Sequence, residues 1–99
     1  MAKRLVKVTI TYCSECGYEP QTLALAEALM KEFRHELFEI ELVPWYEGSF
    51  DVTVDGELVH SMFREGGFAE HATVFEAIRR HQTQAAPHAA EQAPASGRA

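Results

Sequence analysis

The sequence predicts a two-layer α/β domain with element order β-α-β-β-β-α, on three observations. An alternating apolar and polar run, Leu5 to Tyr12, is followed by a three- and four-residue apolar period and then by a second alternating run, Glu36 to Val43. Two shorter alternating runs flank Asp55-Gly56, and a last helical period ends at Gln82. The only two cysteines among the 99 residues, Cys13 and Cys16, sit between the first strand-like run and the first helical one. A strand-helix-strand unit followed by a hairpin and a helix implies a four-stranded mixed sheet with two helices.

The first strand puts Val6, Val8, Ile10 and Tyr12 on one face and Lys7, Thr9 and Thr11 on the other. Period two with β-branched residues marks a half-buried strand whose polar face can stay wet. The first helix is expected from Gln21 to about His35, with Leu23, Ala26, Met30 and Phe33 as the inward stripe and Leu25 and Leu29 widening it. Pro20 fits the first turn, where an amide hydrogen is dispensable, and Glu19 suits its positive end. In the second strand Phe38, Ile40 and Leu42 oppose Leu37, Glu39, Glu41 and Val43. Reached through one helix, that strand is expected to lie parallel to the first with a right-handed crossover. Pro44 and Gly48 then bracket a loop in which Trp45 and Tyr46 either cap the core, the favoured reading, or face a partner.

Phe50, Val52 and Val54 form the apolar face of a third strand, expected to pack on the first helix. Asp55-Gly56 is a tight-hairpin signal, because glycine accepts positive φ freely and aspartate tolerates it, so Glu57 to Ser61 returns antiparallel. Phe63 to Phe68, with Gly66-Gly67, reads as a mobile connection and lacks the flanking residues of a phosphate loop. The second helix is expected over Glu70 to Gln82, with Val74, Ala77, Ile78 and His81 inward. His60 and His81 read as ordinary half-buried residues rather than catalytic bases. Beyond the helix the composition turns to Ala, Gln, Pro, Ser and Gly, so residues 1–82 are read as the domain and 83–99 as a disordered tail.

Composition removes several function classes. A formal charge of -6 repels phosphate backbones and no basic stripe is visible, which excludes nucleic acid as a partner. No apolar run approaches the roughly 18 to 20 residues that span a bilayer, and Lys3-Arg4 before a short strand makes no signal-peptide core. No membrane contact is expected, and the cytoplasm is the expected location. There a persistent structural disulfide is disfavoured, which turns attention to reversible thiol chemistry.

Cys13-Ser14-Glu15-Cys16 carries that chemistry. Two thiols separated by two residues at a strand-to-helix turn can close a small disulfide, and amides at the helix start favour a thiolate. The same spacing makes half of a zinc site, and the thiols can also be incidental. Redox is the favoured reading, because no second CxxC and no closely spaced histidine pair completes a zinc set. No metal and no cofactor are expected. In such a turn the earlier cysteine commonly projects and the later one enters the helix, so Cys13 is expected to be the more exposed, attacking thiol and Cys16 the resolving one.

The element order, with CxxC at the first strand-to-helix turn, matches the minimal thioredoxin arrangement. The chain further resembles the Rdx (SelT/SelW/SelH) family of selenoprotein W-like proteins, in a form with cysteine in place of selenocysteine. Three blocks carry the likeness: Val8 to Tyr18 around the CxxC, Gly48 to Val52, and Val54 to Ser61. It covers about residues 4 to 82. Met62 stands where the family often has a lysine or arginine, and Phe68-Ala69 where it often has Phe-Pro. The resemblance implies a thioredoxin-like fold and thiol-based redox function. It aligns the family's first cysteine with Cys13 and its selenocysteine with Cys16, which would give the attacking role to Cys16.

Two functions stand open from the sequence, beside a second enzyme-like reading as a peroxide or glutathione-linked oxidoreductase in which a sulfenic acid or mixed glutathione disulfide precedes closure. One is a thiol–disulfide redox protein, with Cys13 and Cys16 catalytic, that reduces or exchanges disulfides on a protein or glutathione-linked partner. The other is a non-catalytic redox-sensing adaptor that docks a protein partner according to thiol state. For either, Ser14, Glu15, Trp45, Tyr46, Phe63 and Phe68 form the candidate partner surface.

Overall fold

Eight residues, Val6–Cys13, form the strand β1, which is hydrogen-bonded on both sides and sets the frame for the rest. The structure, a computed structural model, describes residues 5–34, 36 and 38–84. After β1 come α1 (Glu19–Glu32), β2 (Phe38–Trp45), β3 (Phe50–Val54), β4 (Glu57–Ser61), α2 (Met62–Glu65) and α3 (His71–Thr83). The tail expected from Pro87, and the expected helix end at His35 and strand residue Leu37, lie outside the described residues.

The sheet order is β2-β1-β3-β4. β1 runs parallel to β2 and antiparallel to β3, and β3 and β4 form the expected antiparallel hairpin. Val6, Val8 and Ile10 from β1 and Phe50, Val52 and Val54 from β3 form the buried face, under Leu25, Leu29 and Phe33 of the α1 segment and Val74, Ala77 and Ile78 of α3. The helix over β3 is α3, with α1 over β1, so the expected packing of the hairpin on the first helix is corrected. The opposite face carries Lys7, Thr9, Glu39, Glu41 and Thr53, and among the described residues no helix covers it; a Lys7–Glu41 ion pair at 3.3 Å crosses it.

α1 departs from the expected phase. Thr22, Leu25 and Leu29 are buried, whereas Leu23 and Met30 are 58% and 61% exposed. Two apolar stripes interleave on this helix, and the one containing a polar residue faces the core. Thr22 fits there because its hydroxyl donates to the Tyr18 carbonyl at 2.9 Å, leaving no unsatisfied polar group. Pro20 sits in the first turn as expected.

β2 continues two residues beyond the expected strand end, through Pro44 and Trp45. It lies at a sheet edge, where a residue without an amide hydrogen is tolerated, so Pro44 does not end it. The edge position also leaves Leu42 partly exposed. Asp55 and Gly56 both have positive φ, at 50° and 86°, as a tight primed turn requires. A register shift follows: Val52 opposes His60 while Thr53 opposes Leu58, so Val59 is an extra residue. The bulge turns His60 toward the core side, edge-on to Phe50.

The expected mobile connection contains the four-residue helix α2, a third helix where two were expected. Glu65 Oε1 accepts the Ser61 amide at 2.9 Å, satisfying a donor at the helix start, and Gly66 closes the turn in the left-handed region. That amide, then Arg64, holds the Glu65 carboxyl below the usual range. The buried His60 fixes the next segment, with Nε2 2.6 Å from the Gly67 carbonyl. At the other end of the hairpin His81 and Arg80 contact Glu57 at 2.7 and 3.1 Å, tying α3 to β4.

Three outcomes test this account. Leu25→Ala or Leu29→Ala is expected to cost about 2–5 kcal/mol in denaturant unfolding, against less than about 1 kcal/mol for Leu23→Ala; equal costs would refute the helix phase. Gly56→Val is expected to destabilise by about 1 kcal/mol or more, from φ alone, because an added Cβ meets no atom within 4 Å. His81, then Arg80, lowers the Glu57 carboxyl from its ordinary value of 4.5. Its stabilising contribution is therefore full above that value and is lost as pH falls through the lower folded-state value. An NMR titration of Glu57 is expected to show a midpoint below 4.5 that moves upward in His81→Ala.

Candidate functional site

β1 delivers Cys13 to the end of the sheet, where the last residue of β2 and the loop after it take its backbone. The Cys13 amide donates to the Ser49 carbonyl at 2.8 Å and the Ser14 amide to the Trp45 carbonyl at 3.1 Å. The chain then turns tightly, the Gly17 amide reaching the Ser14 carbonyl at 3.1 Å and the Tyr18 amide the Cys13 carbonyl at 3.3 Å. Gly17 has φ of 77°, a left-handed conformation that glycine adopts without a Cβ penalty. The turn brings the Cα atoms of Cys13 and Cys16 to 5.3 Å, and the two sulfurs are bonded.

The two cysteines have opposite environments. Cys13 is fully buried and Cys16 is exposed. This corrects the expectation that the earlier cysteine projects. Cys13 is still a β1 residue whose own amide and that of Ser14 are bonded to the loop after β2 and to the last residue of β2, whereas Cys16 precedes α1 by three residues and rides on the outer part of the turn. The start of α1 offers amide donors at Glu19 and Gln21, since Pro20 has none, and the exposed carboxylates of Glu15 and Glu19 share that field.

Of the candidate partner surface, Ser14 and Glu15 are exposed within the turn. Trp45, the register partner of Cys13, and Tyr46 are 53% and 58% exposed, with ring centroids 5.4 Å apart. They do not cap the core. Phe68 is 39% exposed, and its ring is also edge-on to Tyr18 at 4.9 Å and to Phe50 at 5.1 Å, bracing the turn from the α2–α3 side. Phe63 is exposed on α2, which follows β4. β4 lies three strand spacings, about 14 Å, from β2, so Phe63 and Trp45 do not form one patch.

Three residues escaped the sequence reading. The Tyr18 carbonyl accepts the Thr22 hydroxyl, its ring meets Phe68 edge-on, and its own hydroxyl is 4.0 Å from where a Cβ on Gly48 would stand. Ser49 holds the Cys13 amide and donates its hydroxyl to the Tyr46 carbonyl at 2.8 Å. Glu47, at φ 66°, forms with Gly48 the turn that carries Ser49 to that position. The only sequence signal was their nearness to glycines and the place of Tyr18 and Ser49 within two of the three blocks of the family likeness, with Glu47 next to one. Among the described residues no group of three or more His, Cys, Asp or Glu side chains converges to hold a metal ion, and no helix is long and apolar enough to cross a membrane.

The arrangement is chemically able to open and close a disulfide through one exposed cysteine. Its relatives match in the same frame. The chain is similar to the Bos taurus protein called migration and invasion enhancer 1, with 36% identity over 75 residues, 76% of this chain and 64% of that one. It thus spans less than two thirds of that relative. It is also similar to selenoprotein W of Mus musculus, 39% identical over 72 residues, which are 72% of this chain and 82% of that protein. Among solved structures, a selenoprotein W-related protein from Vibrio cholerae superposes with a TM-score of 0.72 at 25% identity, covering 78% of this chain and 96% of that one. A Bordetella parapertussis protein superposes at 0.70 with 28% identity, covering 77% and 96%. A model of the Rdx family matches residues 7–80, the stretch from β1 into α3 that builds the disulfide turn and everything bracing it, and the chain belongs to that family.

Proposed function

We propose that this chain is a thiol–disulfide redox protein in which Cys16 meets the partner and Cys13 resolves the product. The observation that carries the reading is the bonded Cys13–Cys16 pair in which Cys13 is buried and Cys16 is exposed. In the reduced protein the Cys16 thiolate attacks one sulfur of a partner disulfide, forming a Cys16–partner mixed disulfide and releasing the other partner sulfur as a thiolate that takes a proton. The Cys13 thiolate then attacks Cys16 Sγ, closing the internal disulfide and releasing the second partner thiol. The partner gains two electrons and the protein loses them; a thiol reductant returns it to the start. A buried resolving sulfur suits this order, since it is withheld from solvent oxidants and the turn holds the two cysteine Cα atoms 5.3 Å apart, close enough for the bond to close. The resemblance points the same way, aligning the selenocysteine position with Cys16.

The working unit in this proposal is residues 1–82, and the partner is a protein disulfide or a glutathione-linked one, met in the cytoplasm where a reducing pool keeps the pair cycling. One observation favours the adaptor reading as well. The Trp45 carbonyl accepts the Ser14 amide, so a change of turn shape on reduction is transmitted to the exposed Trp45-Tyr46 ledge. Repeated turnover with a reductant and a model disulfide supports the redox protein; binding in one thiol state without turnover supports the adaptor.

Single-cysteine variants test the order. Cys13→Ser, which keeps the exposed thiol, is expected to be alkylated at neutral pH at least about tenfold faster than Cys16→Ser and to trap partners as stable mixed disulfides. Faster alkylation and trapping by Cys16→Ser would exchange the roles. Failure of the unaltered protein to form the internal disulfide in an oxidising thiol buffer would refute the redox function.

A further inference from the structure

We infer that the disulfides this protein exchanges are flanked by positive charge, so that its substrate class is basic polypeptide disulfides rather than anionic ones such as oxidised glutathione. The inference rests on the thiol–disulfide reading above and names what the exposed sulfur selects. It draws on how charge is divided between the two ends of the sheet and on the chemistry of the exposed rings beside Cys16.

The nine Lys and Arg residues fall at 3, 4, 7, 31, 34, 64, 79, 80 and 98, leaving 8–30 and 35–63 without one. Those two stretches supply the disulfide turn, the Trp45-Tyr46 ledge and the Glu47-Gly48 turn. Cys13, Trp45, Phe50 and Ser61 mark one common end of the four strands. At that end stand Glu15, Glu19 and Glu47, all exposed and without an ion-pair partner among the described residues. Asp51, the second residue of β3, adds a carboxylate with one buried oxygen that lacks a hydrogen-bond partner among the described residues. The one described Lys or Arg on the loops and short helix of that end is Arg64, bonded to Glu65 at 2.7 Å. The opposite end holds the other described cations. Lys31 and Arg34 lie at the close of α1, Lys7 near the start of β1, and Arg79 and Arg80 on the part of α3 whose His81 meets Glu57 by the hairpin turn.

Among the described residues the redox end is therefore a negative pole, and it disfavours any substrate that brings further negative charge to Cys16. The rings point to the same ligand independently. Trp45 and Tyr46 are exposed side by side next to the disulfide turn, and the faces of such rings attract ammonium and guanidinium groups. Acidic side chains with open indole and phenol faces suit a Lys- or Arg-bearing segment. A positive neighbour would also ease formation of the Cys16 thiolate, which Glu15 opposes, so the matching substrate is favoured in reaction as well as in encounter.

Three small disulfides separate these contributions: cystamine, which is dicationic, oxidised glutathione, which is anionic, and neutral 2-hydroxyethyl disulfide. The fully reduced protein, freed of reductant, is mixed with each. Single-turnover rates are divided by those of dithiothreitol with the same compounds, to remove differences in leaving group. Cystamine is expected to exceed oxidised glutathione by about tenfold or more at low ionic strength, narrowing to within about threefold at 0.5 M salt. Glu15→Lys combined with Glu47→Lys is expected to bring the low-salt ratio to near one or below, and Trp45→Ala to reduce it by about twofold or more. A ratio near one in the unaltered protein, or one indifferent to salt, overturns the inference. A large, salt-sensitive ratio that both variants leave unchanged overturns its assignment to this end of the molecule. Absence of reaction with the neutral disulfide refutes instead the thiol–disulfide reading on which the inference rests.

Discussion

Everything in this protein is placed by the two hydrogen-bond ladders of β1. Bonded in parallel to β2 and antiparallel to β3, it is a central strand, buried through Val6, Val8 and Ile10, and it ends on Cys13. The ladders do not stop at the strand end. Their last steps are the Cys13 amide on the Ser49 carbonyl and the Ser14 amide on that of Trp45, so the loop after β2 and the last residue of β2 both hold the redox turn. A cysteine at the end of a doubly paired strand has little freedom to project. Burial of Cys13 and exposure of Cys16 follow from that pairing rather than from anything in the CxxC spacing itself.

The braces behind the turn are aromatic and local. Tyr18 leads into α1, its carbonyl takes the Thr22 hydroxyl, and its ring meets Phe68, which also meets Phe50 of the core. Phe68 follows Gly67, whose carbonyl is held by the buried His60. The Val59 bulge thus has a consequence at the active end: by turning His60 inward it anchors the segment that carries Phe68 against Tyr18. A stiff outer shell suits an exchange site, because the turn must return to one geometry each time the internal bond closes.

Element types and their order were legible because period-two and helical apolar patterns are long here, and because Asp55-Gly56 has one favoured turn. The mistakes arose where tertiary position overrides local pattern. Nothing local marks β2 as an edge strand, so Pro44 read as a strand end although an edge tolerates it. On α1 the apolar residues form two stripes; Thr22 decided between them only because Tyr18 supplies an acceptor, and that depends on a turn whose shape was not readable. α2 is too short to show a period. Among site residues the cysteines were plain, but their relative exposure was not, since it depends on Ser49, more than thirty positions away in the chain.

The charge arrangement then has a physical logic of its own. Cations and anions that meet across elements do so away from the redox end: Arg79 reaches Glu32 between α3 and α1, Arg80 reaches Glu57 between α3 and β4, and Lys7 reaches Glu41 across the open face. Such exposed pairs add little stability singly, and their larger effect is to spend the basic residues far from Cys16. What is left around the accessible sulfur is negative, in a chain whose formal charge is already -6. That residue of charge does not help a thiol ionise, so it is not explained by activation of Cys16. It is explained if the partner brings the compensating charge: the free protein then keeps its thiol comparatively quiet, and reactivity rises when a basic segment settles against Glu15, Glu47 and the Trp45 ring. Selectivity and activation are in that case one electrostatic effect, supplied by the substrate.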